Sequence, residues 1–200
     1  MNLLFATSNQ HKLDEAREIL GPLGIEVVGL DSLSNTFEEP VENADTFEGN
    51  ARLKAIGYAQ ATGKRCMADD SGLVVDALNG EPGVRSARFA GVGNTRLERD
   101  AANNALLLER LQTVPRDRRS ARFVCAICVA DPDGTIVGES KGTFEGIIGS
   151  EPVGTNGFGY DPLLFVSGVN KSSAQMTSEE KNSKSHRGEA VRKIIKCFQQ

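Results

Sequence analysis

The amino-acid sequence predicts a mixed-sheet α/β fold, in which parallel and antiparallel strands share one sheet flanked by helices. Strand-like and helix-like segments alternate through the first half of the chain. Two further strand segments lie on either side of a turn signal in the second half, which is typical of an antiparallel hairpin. With 200 residues and 39% hydrophobic residues, the chain can form one well-packed domain, with or without two lobes.

The first half of the chain provides the alternating part of this pattern. Short apolar runs indicate strands, and apolar residues at spacings of three and four indicate helices. In chain order, the predicted segments are a strand over 2–7, a helix over 11–20, a strand over 25–30, an acidic loop over 31–45 and a helix over 46–62.

Two short strands are predicted next, over 65–69 and 73–78, with a turn at Ser71-Gly72 between them. The sequence NGEPG over 79–83 indicates another turn, because glycine and proline interrupt regular structure.

The helix over 96–112 has the clearest signals. Thr95 and Glu98 have the spacing of a capping box, and Pro115 lies just beyond the predicted end. Its predicted buried face consists of Leu97, Ala101, Ala105, Leu108 and Leu111.

The second half of the chain contains the predicted hairpin. Strands over 121–131 and 135–144 lie on either side of Pro132-Asp133-Gly134. A glycine-rich loop over 146–159 follows, and the last helix is predicted over 186–198. The predicted buried face of this last helix consists of Ala190, Val191, Ile194, Ile195 and Phe198.

Composition narrows the possible functions. The formal net charge of −4 argues against broad binding to nucleic acid or to anionic membranes. No apolar run approaches the roughly 20 residues of a membrane span, and the N-terminus lacks a basic region and a cleavage site. We therefore expect a cytoplasmic protein.

Four cysteines raise the question of a metal site, since Cys125 and Cys128 form a C-x-x-C pair. These two residues lie in a predicted strand, where positions three apart point to opposite faces. No second pair is present to complete a zinc site. We expect all four cysteines to be core or surface thiols in a reducing compartment.

A pair of adjacent carboxylates, Asp69 and Asp70, ends the strand predicted over 65–69. Two neighbouring acids repel each other, so the fold has to place positive groups beside them. Adjacent strand residues point to opposite faces, so the two carboxylates are expected to have different roles. One should face a metal ion and the other should be bound into the scaffold.

Lys12 is one candidate cation for this pair. It lies in the first turn of a predicted helix, just after Ser8 and Asn9, where the positive end of the helix dipole disfavours a lysine. Free N–H groups, hydroxyls and a lysine together can bind phosphate. A solvated surface lysine is an equally good interpretation of this spacing.

Lys54 is a second candidate cation, because it lies within an otherwise apolar helical stripe. A lysine on an inward face is unfavourable unless a negative group lies opposite. The alternative is that its stem packs while the amine reaches water. The other members of the predicted stripe are Phe47, Ala51, Tyr58 and Ala61.

Two further segments could complete a phosphate site. Glu42 with Asp69 and Asp70 gives a carboxylate set of the kind that binds Mg²⁺ and leaves positions for substrate phosphates. His186 and Arg187 begin the last helix, beside free N–H groups, although a partly exposed capping segment would explain them too. Walker A and dinucleotide-binding glycine patterns are absent from the sequence.

Together these segments resemble the inosine/xanthosine triphosphate pyrophosphatases, which remove deaminated purine nucleotides. The resemblance spans nearly the whole chain in the order of that family, and the chain departs from it at ENADTF, where a tighter Glu-Thr-Gly type of step is common. The matching segments are TSNQHK (7–12), ENADTFEGNARLKA (42–55), ADDSGLVVDAL (68–78), GEPGVRSARFAG (80–91), GFGYDPLLF (157–165) and MTSEEKNSKSHRG (176–188).

The resemblance implies a single nucleotide pyrophosphatase domain over 1–200 with an elongated α/β fold. A long mixed central sheet flanked by helices and two lobes around an active-site cleft are expected, usually in a homodimer. The implied reaction is hydrolysis of a purine nucleoside triphosphate to its monophosphate and pyrophosphate, with Mg²⁺ as cofactor.

The resemblance also implies roles for individual residues. Glu42 and Asp70 would bind the metal, with Asp70 accepting a proton from the attacking water and Asp69 supporting it. Phe158 would stack on the purine. The phosphate-binding residues would be Thr7, Ser8, Asn9, Lys12, Lys54 and Ser71, and the remaining base-site residues Gly159, Tyr160, Asp161, Lys181, His186 and Arg187.

Donors around the base would explain a preference for deaminated purines. Hypoxanthine and xanthine carry an acceptor oxygen where adenine carries an amino group, so adenine would leave donors of Lys181, His186 and Arg187 unpaired. Guanine also carries this oxygen, and its rejection needs a further device. A Maf-like pyrophosphatase with another base preference and a non-hydrolytic nucleotide sensor are the alternative functions.

Overall fold

The computed structural model describes residues 2–197 and contains one six-stranded sheet. Its strands are β1 (Asn2–Phe5), β2 (Glu26–Gly29), β3 (Cys66–Val75), β4 (Ser120–Ala130), β5 (Ile136–Ile148) and β6 (Leu164–Val166). The strand order is β2-β1-β3-β4-β5-β6.

The sheet is mixed, as the sequence predicts. β1 pairs in parallel with β2 and with β3, placing Phe5 beside Met67. β5 and β6 pair antiparallel. β4 and β5 are neighbours joined by the predicted turn, which Asp131 and Gly134 close with a backbone hydrogen bond of 2.9 Å. The predictions of a mixed α/β fold and of a hairpin are confirmed.

Five α-helices accompany the sheet in residues 2–197. They are α1 (Gln10–Leu20), α2 (Phe47–Thr62), α3 (Arg96–Arg110), α4 (Ser178–Lys184) and α5 (His186–Ile194). The predicted capping box of α3 is present, because Thr95 accepts from the Glu98 amide and Glu98 accepts from the Thr95 amide. Side chains of Asn9, Thr46 and Ser185 cap α1, α2 and α5 in a related way.

The chain divides into two compact units. Unit 1 lies within residues 1–70, 125–142 and 185–200, and unit 2 comprises 71–124 and 143–184. In unit 1, apolar residues of α1 and α5 pack with β1, β2 and the middle of β4. The core of unit 2 joins the end of β3 to α3, β5 and β6. The single domain with two lobes stays a prediction.

The predicted turn within β3 is wrong. Residues 66–75 form one continuous strand, so Ser71 and Gly72 lie inside it. A Cβ at Gly72 would lie 2.4 Å from Ser86 Oγ and 2.6 Å from the Gly83 carbonyl oxygen. This glycine therefore permits a close approach of neighbouring backbone and does not reverse the chain.

The predicted buried face of α3 is largely wrong. Leu97 is 81% exposed, whereas Asn103 and Leu107, which were not predicted, are buried. Leu111 is buried as predicted, and Leu108 packs against the core. Ala101 and Ala105 are exposed as well. The buried residues Asn103, Leu107 and Leu111 follow one another at spacings of four and form one face of the helix. This face is rotated about the helix axis relative to the predicted one.

Two other predicted faces need smaller corrections. On α2, Ala61 is exposed, and the buried face instead includes Asn50, Ala55 and Ala59 beside Lys54. On the last helix, the four predicted residues before Phe198 are buried, while Phe198 lies outside the described residues. No helix within residues 2–197 has the length and apolar character needed to cross a membrane.

Two substitutions on α3 test which face is buried. Leu107→Ala should lower the free energy of unfolding by about 2–5 kcal/mol, because it removes fully buried methyl groups. The matched control Leu97→Ala should change it by less than about 0.5 kcal/mol, because that side chain is exposed. Urea unfolding of both variants measures the difference, and equal losses would contradict the observed face.

Candidate active site

Asp69 lies at the centre of a buried group of charges in unit 1. Its side chain is 1% exposed, and both of its oxygens lie close to Lys12 Nζ, at 2.9 and 3.0 Å. Arg187 Nη2 lies 3.4 Å from Asp69 Oδ2, and the same guanidinium also binds Glu15. Asp69 therefore holds β3 to the first turns of α1 and α5.

The cations around Asp69 determine its ionisation. Burial by itself would raise the pKa of Asp69, but Lys12, Arg187 and Lys54 together hold that pKa well below its ordinary value. Burial of the Arg187 guanidinium is likewise outweighed by Glu15 and Asp69, which raise its pKa. Asp69 is therefore ionised throughout the physiological pH range.

Asp70 has different partners, although it is the next residue of the same strand. Asn50 Nδ2 donates to Asp70 Oδ2 at 3.1 Å, and Lys54 Nζ lies 3.8 Å from Asp70 Oδ1. The same ammonium lies 3.2 Å from Glu42 Oε2. The predicted negative partners of Lys54 are therefore present, with Lys54 itself only 8% exposed.

The pKa of Asp70 shifts in the opposite direction from that of Asp69. Burial raises the pKa of Asp70, and the lowering effects of Lys54 and of the Asn50 hydrogen bond do not fully offset it. Glu42 adds to the rise through like-charge repulsion. A carboxylate with a raised pKa is a stronger base, which suits proton transfer from water.

The turn between β1 and α1 contains Thr7, Ser8 and Asn9, three of the predicted phosphate-binding residues. Thr7 Oγ1 accepts from the Asn9 amide at 3.2 Å, and Asn9 Oδ1 accepts from the His11 amide at 3.1 Å. A depression of about 420 Å³ adjoins Thr7 and Ser8 and is otherwise lined by α1 and the loop over 30–37. The hydroxyl-rich turn is therefore reachable from solvent.

The predicted metal ligands have the chemistry that Mg²⁺ requires. Glu42 and Asp70 present carboxylate oxygens to one shared cation, the Lys54 ammonium. Mg²⁺ commonly uses one or two carboxylates and takes its other ligands from water and substrate phosphates. No group of three or more His, Cys, Asp or Glu residues within 2–197 is arranged as a metal site. Glu42 and Asp70 thus offer hard oxygen donors of the kind that suits Mg²⁺.

The predicted stacking residue, Phe158, lies in a tight turn of unit 2. The Phe158 amide donates to Asp161 Oδ2 at 2.8 Å, and Ser173 Oγ donates to Asp161 Oδ1 at 2.7 Å. Gly157 has a φ of 75°, and a Cβ there would lie 2.0 Å from Asp161 Oδ2. Only glycine fits this position, so the turn is built around the Asp161 carboxylate.

Two cations lie over the ring of Phe158. Arg96 Cζ is 4.6 Å from the ring centroid, and Lys181 Nζ is 5.2 Å from it. Lys181 also binds Asp161 Oδ2 at 2.7 Å and is 6% exposed. Tyr160 is buried and its hydroxyl donates to the Ser86 carbonyl oxygen at 2.8 Å, so it anchors the turn to the segment around Ser86.

The predicted residues thus fall into two groups. Unit 1 contains Thr7, Ser8, Asn9, Lys12, Glu42, Lys54, Asp69, Asp70, His186 and Arg187. Unit 2 contains Ser71, Phe158, Gly159, Tyr160, Asp161 and Lys181. Arg187 contacts Glu15 and Asp69, two acids of unit 1, and its predicted contact with the purine edge stays a prediction.

Several residues around these groups are absent from the sequence-based set. Asn50 could have been found, since it precedes Lys54 by one helical turn on the same face. Glu15 and Arg96 carry no local signal, because their partners Arg187 and Phe158 are distant in the sequence. Such partners follow only from the tertiary structure.

Comparison with known proteins extends over almost the whole chain. A sequence profile of the Ham1 family matches residues 3–197. A dITP/XTP pyrophosphatase of Exiguobacterium sibiricum is 49% identical over 194 residues, which are 97% of this chain and 95% of that protein.

Two solved structures are similar in fold as well as in sequence. The Staphylococcus aureus Ham1 protein has a TM-score of 0.84 and 38% identity, covering 100% of this chain and 98% of its own. A HAM1 protein from Coxiella burnetii has a TM-score of 0.85 and 36% identity, with the same coverage of 100% and 98%. Sequence and fold agree over the full described length, and the chain belongs to the Ham1 family.

Proposed function

We propose that this protein hydrolyses the deaminated purine nucleoside triphosphates ITP, dITP and XTP to monophosphate and pyrophosphate, and so removes them from the nucleotide pool. Relatives nearly half identical to it carry the name dITP/XTP pyrophosphatase. The structural observation that carries the proposal is the division of the carboxylate pair, with Asp69 bound by Lys12 and Arg187 and Asp70 beside Lys54 and Glu42.

Unit 1 supplies the groups for the triphosphate. Lys12 and Lys54 offer two ammonium groups, and the turn over 7–9 offers hydroxyls and amides at the N-terminus of α1. Ser71, the first residue of unit 2, directly follows Asp70 in β3 and offers another hydroxyl. We assign these groups to the phosphate oxygens, where positive charge stabilises the charge that develops during pyrophosphate release.

Asp70 is the proton acceptor in this proposal. It takes a proton from a water molecule whose oxygen forms a bond to the α-phosphorus. The bond from that phosphorus to the bridging oxygen breaks, and pyrophosphate leaves with the bonding electron pair. In the metal-free protein, burial raises the pKa of Asp70, whereas Asp69 remains ionised and holds the strand in position.

Nucleotide pyrophosphatases of this kind are generally metal-dependent, and we assign the metal to Glu42 and Asp70. Mg²⁺ is the proposed ion, because both ligands are hard oxygen donors. Held by these two carboxylates, the ion would supply positive charge to the substrate phosphates. Lys54, which bridges the two carboxylates here, is then available to a phosphate oxygen.

Unit 2 supplies the base site in this proposal. Phe158 presents an aromatic face for stacking, and Lys181 presents an ammonium fixed by Asp161. We assign Lys181 to the acceptor atoms that hypoxanthine and xanthine carry, while the base contacts of His186 and Arg187, residues of unit 1, stay predictions. The homodimer and the cytoplasmic location remain predictions that rest on the resemblance and on composition.

The first test is a comparison of nucleotides with Mg²⁺ present. ITP, dITP and XTP should give pyrophosphate with kcat/KM values at least about 100-fold above that of ATP, because adenine leaves donors unpaired. GTP should also be hydrolysed far more slowly, although guanine carries the same acceptor oxygen and its rejection needs a further device. Ribose and deoxyribose substrates should differ little. Chromatography of the nucleotide products with a coupled pyrophosphate assay measures these values. Comparable kcat/KM for ATP and ITP, or release of inorganic phosphate alone, would refute the proposal.

The same assay with EDTA serves as the metal control. Turnover should vanish, while the melting temperature of the nucleotide-free protein stays unchanged, because the ion is bound together with substrate phosphates. A large loss of thermal stability on chelation would instead indicate a structural metal.

The two aspartates should respond oppositely to substitution by asparagine. Asp70→Asn should lower kcat about 10²–10⁴-fold, because it removes the proton acceptor. The free energy of unfolding should be unchanged or higher in this variant. The raised pKa of Asp70 shows that its negative charge is less favourable in the folded protein than in the unfolded chain. Lys54 also keeps Glu42 as an acidic partner.

Asp69→Asn should instead destabilise the protein by about 3 kcal/mol or more, because Lys12 and Arg187 lose their common carboxylate. Melting curves, kcat and the ITP dissociation constant of both variants provide the measurement. Substantial turnover in Asp70→Asn, or unchanged stability in Asp69→Asn, would reverse the assignment of the two carboxylates.

A further inference from the structure

One face of α3 is directed at the turn that carries Phe158. Arg96, Asp100 and Asn104 follow one another at intervals of four residues, so they form a single row along the helix. Asp100 Oδ2 accepts from the Gly159 amide at 3.0 Å, and Asn104 Nδ2 donates to the Gly159 carbonyl at 3.0 Å. Arg96 lies over the Phe158 ring itself.

The two hydrogen bonds fix both backbone polar groups of Gly159. This residue has a φ of 62°, a conformation that most residues avoid and that a flexible glycine does not maintain by itself. A donor and an acceptor from one rigid helix remove this freedom. Because Phe158 is the preceding residue, its backbone direction is set by the same two contacts.

Arg96 occupies an unusual position for a cation. It lies in the first turn of α3, where the helix dipole disfavours positive charge, and Asp100 is its nearest acid at 3.8 Å. Its guanidinium nevertheless lies 4.6 Å from the Phe158 ring centroid. A planar guanidinium over an aromatic face restricts the tilt of that ring.

We propose that Arg96, Asp100 and Asn104 are positioning residues that fix the orientation of the Phe158 ring before the purine stacks on it. They act through Phe158 and Gly159 and have no role in bond breaking. The inference rests on the proposed function, in which Phe158 is the stacking surface. A ring held in place loses less conformational freedom when the base binds, so affinity for the base increases.

The kinetic test distinguishes an effect on base binding from an effect on phosphate binding. Arg96→Gln and Asp100→Ala should raise the KM for ITP about three- to tenfold while kcat changes less than about twofold, as expected for lost base positioning. Inorganic tripolyphosphate has no base, so its inhibition constant should stay unchanged in both variants. Asp100→Asn keeps an acceptor for the Gly159 amide and should recover most of the wild-type KM.

Arg116 provides a matched control within unit 2. Its guanidinium lies 5.2 Å from the ring centroid of Phe165, a residue outside the proposed base site. Arg116→Gln removes the same kind of contact and should leave the KM for ITP unchanged. A rise in KM equal to that of Arg96→Gln would show a general loss of stability and would overturn the proposal.

A second readout requires no turnover. The chain contains no tryptophan, so Phe158→Trp introduces a single indole at the stacking position. Inosine monophosphate should quench its fluorescence, and adding Arg96→Gln or Asp100→Ala should weaken that binding about three- to tenfold. Failure of wild-type protein to hydrolyse ITP would refute the proposed function, whereas unchanged affinity in these variants would refute only the positioning role.

Discussion

The structure of unit 1 depends on one buried charge, the carboxylate of Asp69. At 1% exposure it could not remain ionised without compensation, because the loss of hydration costs several kcal/mol. Lys12 from α1 and Arg187 from α5 provide that compensation. Because the pKa of Asp69 is lowered in the folded state, its ionisation stabilises the fold above the pKa of the unfolded chain. This stabilisation is lost as the pH falls through the folded value.

The anchoring of Asp69 leaves Asp70 available for chemistry. Adjacent residues of a strand point to opposite faces, so a single peptide bond separates the carboxylate bound by Lys12 and Arg187 from the one that we propose as the proton acceptor. Burial raises the pKa of Asp70, and Lys54 and Glu42 lie beside it without removing that effect. In the proposed mechanism, the pair therefore places the proton acceptor directly beside a carboxylate that is fixed in the scaffold.

Features set by local chemistry were predictable from the sequence. The capping box at Thr95, the hairpin and the acidic partners of Lys54 follow from spacing and charge, and six ordered motifs indicated the family. Gly72 was misinterpreted, because a glycine that permits close packing and one that turns the chain look identical in sequence. The exposed Leu97 and the contacts of Arg96 depend on distant residues, which local patterns do not contain.

The central claim is that the compensated charge of Asp69 stabilises the fold around the carboxylate pair. A double-mutant cycle with Lys12→Met and Asp69→Asn tests it most directly, with the free energy of unfolding as the measured quantity. Each single variant removes one member of the pair and leaves the other with less compensation, whereas the double variant removes both charges. The loss in the double variant should therefore be smaller than the sum of the single losses by about 1–3 kcal/mol. Losses that add to within about 0.5 kcal/mol would contradict the claim, because the two charges would then be independent.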